Sequence, residues 1–272
     1  MKTADPENDL ENLVEQVRQG DRYREIQVDL IRSIGRCELR DRRNLREALK
    51  ATRSKLHQIG GAYFQSLPDY AGWTQQLESL PTGRDTPEFR NFCVQAMRAH
   101  ASTRERLPIL ETFFSTALSG ITPITSVLDL ACGLNPLAIP WMPLDPSVPY
   151  HACDIYGDMI DFLGDFLNHI NQNGQAWGCD LSQTIPDEKV HLAFLLKSIP
   201  CLEQLDKQLP LRLLEGIRAD HLLVSFPVAS LGGRGKGMHV NYETHFMKLI
   251  EGHLWQVQRF EFLGELAFLV TK

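Results

Sequence analysis

The stretch VQRFEFLGELAFLVT (257–271) decides how the fold ends. Two strand-like runs, 257–262 and 266–271, are joined only by Leu263-Gly264-Glu265. A link that short cannot carry a parallel crossover, so the pair forms an antiparallel hairpin. Upstream, after residue 120, short runs rich in Val, Leu and Ile alternate with helical or loop segments: 126–130, 150–153, 176–179, 190–196 and 221–226. Strands apolar on both faces, separated by helices, build a parallel sheet. The expected fold is therefore α/β, a mostly parallel doubly wound sheet closed by a hairpin. A nicotinamide-binding sheet would normally continue in parallel.

The first hundred residues read as helices. Leu10, Leu13, Val14 and Val17 follow i, i+3, i+4, i+7 spacing, and Tyr23, Ile26, Leu30 and Ile34 extend a similar stripe. A third helix carries Leu45, Leu49, Thr52, Leu56 and Ile59 on one side and stops at Gly60-Gly61, a C-terminal cap signal. Its far side presents Arg43, Arg46, Lys50 and Arg53, a continuous cationic ridge. Thr86-Pro87 reads as a cap with proline in the first turn, opening a helix with Phe89, Phe92, Cys93 and Ala96 inward.

Hydrophobic content of 43% with 23% charged residues belongs to a soluble globular chain. No apolar run approaches the roughly 18 residues that span a bilayer. The acidic start, MKTADPENDLENL, has no signal-peptide core, so cytoplasmic residence is expected. The cysteines at 37, 93, 132, 153, 179 and 201 form no Cys-x-x-Cys pair, which suggests neither a metal site nor a disulfide framework. Net charge is −6, yet residues 30–57 hold nine Lys or Arg against three Asp or Glu, a local +6 that leaves −12 elsewhere. A basic block in an acidic chain points to a localised anionic partner.

The chemistry gathers at strand ends. The first strand runs into Asp129-Leu130-Ala131-Cys132-Gly133, where small residues let backbone approach a ligand. An ordinary strand-to-helix turn would account for this equally well, and the three-glycine dinucleotide fingerprint is absent. Asp154 closes the second strand about twenty residues on, placed to accept ribose hydroxyls. Cys179-Asp180-Leu181 closes the third, with a carboxylate for an adenine amino group and a leucine for the ring face. Acids at three successive strand ends read either as a cofactor site or as three solvated strand-end acids, and the parallel sheet with its closing hairpin has the architecture of the common class I S-adenosylmethionine-dependent methyltransferase fold.

Two further segments carry charge. In HASTRER (100–106), Ser102 and Glu105 have capping-box spacing, which would put Arg106 in a first turn, facing either a cofactor carboxylate or a surface salt bridge. Leu231-Gly232-Gly233-Arg234-Gly235-Lys236-Gly237-Met238 makes a glycine-rich cationic loop at the rim, suited to phosphate but lacking P-loop spacing.

These stretches together resemble one family. HASTRERL (100–107), VLDLACGLNPLA (127–138), CDI (153–155), LLKSIPCLE (195–203) and VSFPVASLGGRGKGM (224–238) are similar to the aminoglycoside-resistance methyltransferases that modify N7 of guanine 1405 in 16S ribosomal RNA. The resemblance implies a helical docking domain (1–104) for the 30S subunit, then an S-adenosylmethionine-binding domain (105–272). By position it implies His100, Ser102, Thr103 and Arg106 beside the methionine part, with Arg106 on the carboxylate. Ala131 and Gly133 would flank the cofactor, Asp154 and Ile155 the ribose, Asp180 and Leu181 the adenine, and Phe64 would pack over it. Lys197 and Arg234 would be positioning cations, and Arg43, Arg46, Lys50, Arg53, Arg234 and Lys236 would meet RNA. No general base, metal or membrane is expected. Ala131 departs from the glycine many methyltransferases carry there. A methyltransferase for another RNA or a small molecule, and a non-catalytic ribosome-assembly protein, remain as alternatives.

Overall fold

Residues 6–228 and 238–272 are described by a computed structural model. Leu10, Leu13, Val14 and Val17 all point inward from α1 (Pro6–Arg18), as their spacing requires. The next stripe is interrupted. α2 (Val28–Asp41) takes Leu30 and Ile34, whereas Ile26 lies before it in an isolated bridge to Tyr156. There the chain is extended because Gln27 N–H donates to Ile155 O (2.9 Å) and Gly157 N–H donates to Glu25 O (2.8 Å). Helical periodicity continued across a segment that tertiary pairing had straightened.

α3 (Leu45–Ile59) starts where Asn44 Oδ1 accepts the Glu47 N–H at 2.9 Å. It ends at Gly60, whose φ of −142° is not the left-handed cap that glycine usually serves. Glycine is needed for space, since a Cβ there would sit 2.9 Å from the Tyr156 ring. α4 (Tyr70–Glu78) and α5 (Pro87–Met97) follow, and Thr86 Oγ1 caps α5 by accepting the Phe89 N–H. α6 (Ala101–Arg106) begins after His100, so Ser102 is not its cap and the capping box does not form. α7 (Leu110–Ala117) leads into the sheet.

The strands are β1 (Val127–Leu130), β2 (Tyr150–Asp154), β3 (Gly174–Gly178), β4 (Val190–Leu196), β5 (Ala219–Pro227), β6 (Gln256–Phe262) and β7 (Glu265–Thr271). Their order is β3-β2-β1-β4-β5-β7-β6, parallel except for β7, which runs antiparallel to both β5 and β6. The hairpin expected from 257–271 is thus present, with β7 inserted beside β5. Between strands lie α8 (Gly157–His169), α9 (Ile199–Leu205), α10 (Leu209–Gly216) and α11 (Met238–Leu249). Alternate residues of β4 feed opposite layers: Leu192, Phe194 and Leu196 enter one apolar cluster, Ala193 and Leu195 the other. The first cluster also contains Leu13, Ile31 and Leu56 from the amino-terminal helices, so one core runs from those helices to the sheet face. No helix among the described residues is long and apolar enough to cross a membrane.

Candidate active site

At the carboxyl ends of β1, β2 and β4 lies a cleft, partly open to solvent, that encloses about 750 Å³ with its open mouth included. Two acids mark one half. Asp154 Oδ2 accepts the Gly133 N–H at 2.9 Å and Oδ1 accepts the Ile155 N–H at 2.6 Å, so backbone fixes the carboxylate. Burial pushes its pKa up, against those same donors. Asp180 Oδ1 accepts from Ser182 N–H and Oγ–H at 2.9 and 2.6 Å. Its Oδ2 is buried with no partner among the described residues, and Asp180 lines the cavity. That orphan fits the exocyclic amine of adenine, with Leu181 beside it.

The turn after β1 forms the floor. Ala131 and Gly133 both lie in the left-handed region, at φ 48° and 51°. A glycine at 131 would relieve that strain, while Gly133 is obligatory for a second reason. A Cβ at 133 would lie 2.8 Å from the His100 ring. His100 is itself clamped: Tyr63 stacks on it at 5.2 Å, Phe64 meets it edge-on at 4.9 Å, and Nδ1 faces Ser102 Oγ at 2.9 Å. Burial, then the nearby Arg104, Lys197 and Arg106, lower its pKa to about 3, so the ring is neutral near pH 7.

The β4 side holds a buried charge cluster. Lys197, at φ 58°, places Nζ 3.0 Å from Glu105 Oε2, 3.2 Å from Ser102 O and 3.3 Å from Glu265 Oε2. Glu265 also receives Arg106 Nη2–H and Ser225 Oγ–H, both at 2.6 Å. Burial alone would raise the Glu265 pKa, but Arg106 and Lys197 outweigh it and hold the carboxyl below its usual range.

The expected residues fall into two groups. His100, Ser102, Ala131, Gly133, Asp154, Ile155, Asp180, Leu181 and Lys197 line the cavity together. Phe64, Thr103 and Arg106 stand behind it. Phe64 packs on His100 and Tyr156, and Thr103 Oγ–H pins the Met97 carbonyl at 2.7 Å. Arg106 is the last residue of α6 and 1% exposed, so neither the first-turn position nor a surface pair holds. Its Nε and Nη2 face Glu265 and Nη1 donates to Asn135, which supplies the required anion from within the chain. Arg234 and Lys236 lie outside the described residues.

The helical segment supplies wall residues that sequence reasoning missed: Leu30, Ile59, Gly60 and Tyr63. Leu30 and Ile59 were legible only as stripe positions, and nothing local distinguishes a core leucine from one facing a ligand. Ser198 and Cys201 were also missed, although both lie in the LLKSIPCLE stretch. Of the cationic ridge, Arg46 and Lys50 are exposed on α3 and Arg43 is exposed just before it. Arg53 turns inward, donating to Gln16 O at 2.6 Å, and so leaves the ridge. No cluster suited to a metal ion occurs among the described residues.

A glycine-type turn after β1, acids at the ends of β2 and β3, and a reversed β7 together define an S-adenosylmethionine-dependent methyltransferase. The chain matches the sequence model of the ribosomal RNA methyltransferase (FmrO) family over residues 19–269, and it belongs to that family. It is 33% identical over 274 residues to a 16S rRNA (guanine(1405)-N(7))-methyltransferase of Micromonospora echinospora, covering 100% of both chains. A Micromonospora rosea protein of the same name is 31% identical over 274 residues, again across 100% of each. Among solved structures, the 16S rRNA methyltransferase RmtF in complex with S-adenosyl-L-homocysteine superposes with a TM-score of 0.82 at 28% identity, covering 97% of this chain and 98% of the other. The 16S rRNA methylase RmtB gives 0.80 at 25% identity, covering 97% and 98%.

Proposed function

We propose that this protein methylates N7 of guanine 1405 in 16S rRNA, acting on the assembled 30S subunit in the cytoplasm. Labour divides near residue 104: residues 1–104 dock through Arg43, Arg46 and Lys50, and residues 105–272 carry out transfer. One observation favours this chemistry above others. Among the described residues, the β4 side of the cavity has no group free to act as a base: His100 is neutral but with its pKa near 3, and Glu105 and Glu265 are tied to Lys197. Guanine N7 has an in-plane lone pair and no proton to lose, so it needs alignment and no base.

S-adenosylmethionine, when bound, supplies an activated methyl group on a sulfonium. The chain's own residues hold and orient. Asp154 accepts from ribose hydroxyls, Asp180 Oδ2 from the adenine amine, and Leu181 covers the ring. Gly133 and the clamped His100 shape the methionine half, and Ser102 fixes the His100 ring. Arg234 and Lys236 would meet RNA phosphates beside a target base drawn out of its stack.

The test is borohydride–aniline cleavage of rRNA from treated 30S subunits, mapped by primer extension. A stop at guanine 1405 that requires both protein and S-adenosylmethionine is expected. Bacteria expressing the protein should resist gentamicin and kanamycin and stay sensitive to apramycin. A stop elsewhere, or none on intact subunits, rejects the reading.

A further inference from the structure

Lys197 looks like the residue to grip the target base, but its donors are spent. An ammonium has three N–H donors, and three protein oxygens already lie within 3.3 Å of Nζ. The neighbouring group is different. Ser198 is 6% exposed, lines the cavity, and its Oγ has no hydrogen-bond partner among the described residues.

Its freedom has a local cause. Ser198 is the N-cap of α9, where a serine hydroxyl ordinarily accepts a backbone N–H of the first turn. Here Pro200 has no N–H to offer, and the Cys201 N–H is already bonded to the Ser198 carbonyl at 3.0 Å. No side-chain cap bond forms. The left-handed backbone at Lys197, φ 58°, sets the direction in which the chain leaves β4. Strain at a non-glycine residue persists only where its surroundings enforce it.

Strand order says what this hydroxyl faces. Asp180 lies past β3, Asp154 ends β2, and Ala131 and Gly133 follow β1; the next strand in the sheet is β4. A cofactor laid from adenine to methionine along β3, β2 and β1 brings its methyl end to β4, where Lys197 and Ser198 stand. The acceptor base must therefore arrive there. A guanine presenting N7 also presents the adjacent O6, a second acceptor that needs a donor.

We infer that the Ser198 hydroxyl donates to O6 of the target guanine and so aligns N7, with Lys197 a positioning residue that braces the strained turn. This rests on the guanine-N7 reading above. The experiment is a cycle of two changes on reconstituted 30S subunits: Ser198→Ala in the protein, and 2-aminopurine, which keeps N7 but lacks O6, at rRNA position 1405. Each change alone should slow single-turnover methylation by roughly 3- to 10-fold, the worth of one neutral hydrogen bond. Together they should cost no more than one, because they remove the same hydrogen bond. Ser198→Thr, which keeps the hydroxyl, should stay sensitive to loss of O6. Affinity for S-adenosylhomocysteine by calorimetry, and thermal midpoint, should be unchanged in both variants. Losses that multiply in the double change overturn the proposal, as does a several-fold drop in S-adenosylhomocysteine affinity, which would assign the hydroxyl to the cofactor. Wild-type protein inactive on ordinary guanine-1405 subunits would instead overturn the underlying reading.

Discussion

Asp129 is buried beneath the cofactor turn, with Oδ2 accepting from Asn135 and Tyr150 at 2.9 and 2.7 Å while Oδ1 has no partner among the described residues. Burial outweighs those bonds and raises its pKa to about 7. The native state therefore keeps a proton there that the unfolded chain, with an ordinary carboxyl near pKa ~4, has lost. Between these values stability falls as pH rises, since native binds more protons than unfolded. Asp129→Asn removes the titration. The stability difference between wild type and variant, from urea unfolding at about pH 5 and pH 8, should shift toward the variant at the higher pH. An equal difference at both would mean that Asp129 does not titrate in this window. At this scale the strand-end acids were legible, because short apolar runs mark strand ends locally. The Arg106–Glu265 pair was not, since its partners are 159 residues apart and nothing near Arg106 points to Glu265 as its anion.

α3 shows how an element can be read correctly and still mislead at one position. Its apolar stripe and its end were legible from spacing, though Gly60 serves there for space and not as a left-handed cap, and the Asn44 cap was not read. The cationic face was legible only in part, because helical geometry fixes direction but not what a neighbour offers. Arg53 found the Gln16 carbonyl of α1. Glu38 of α2 is 2% exposed and takes Lys55 Nζ at 2.8 Å and Arg42 Nε at 2.9 Å, so two basic residues of the 30–57 block serve a buried carboxylate. Two kinds of basic residue follow. Neutralising Arg43, Arg46 and Lys50 should weaken 30S binding and flatten its salt dependence, by about 0.9 in log–log slope for each phosphate left unneutralised on a duplex-like site. Arg53→Ala should instead lower the unfolding free energy, by roughly 1 kcal/mol for one part-buried bond, and leave the salt slope alone. Filter binding across a salt series separates them. A triple variant with an unchanged slope would make the face merely solvated.

Across the whole molecule the amino-terminal helices and the cavity share material. Arg22 donates to the Gly61 and Phe64 carbonyls, Gln183 reaches Ser33, and Ile26 bridges to Tyr156. Leu30, Ile59 and Tyr63 are cavity wall. The division of labour proposed near residue 104 is accordingly not a division of the core, which is common to both parts. A fragment comprising residues 105–272 would expose the apolar face that Leu13, Ile31 and Leu56 help to cover. It should aggregate on gel filtration and bind no S-adenosylhomocysteine by calorimetry; a monodisperse fragment that binds normally would show the two parts to be separable.

The shared wall has an evolutionary consequence. An amino-terminal segment that also walls the cavity cannot be exchanged wholesale, as the arms of modular enzymes are. Every graft would have to re-create Leu30, Ile59, Gly60 and Tyr63 against Tyr156 and His100. The outward positions of the amino-terminal helices, Arg46 and Lys50 of α3 among them, are where a substitution alters what the surface meets without disturbing what the interior holds.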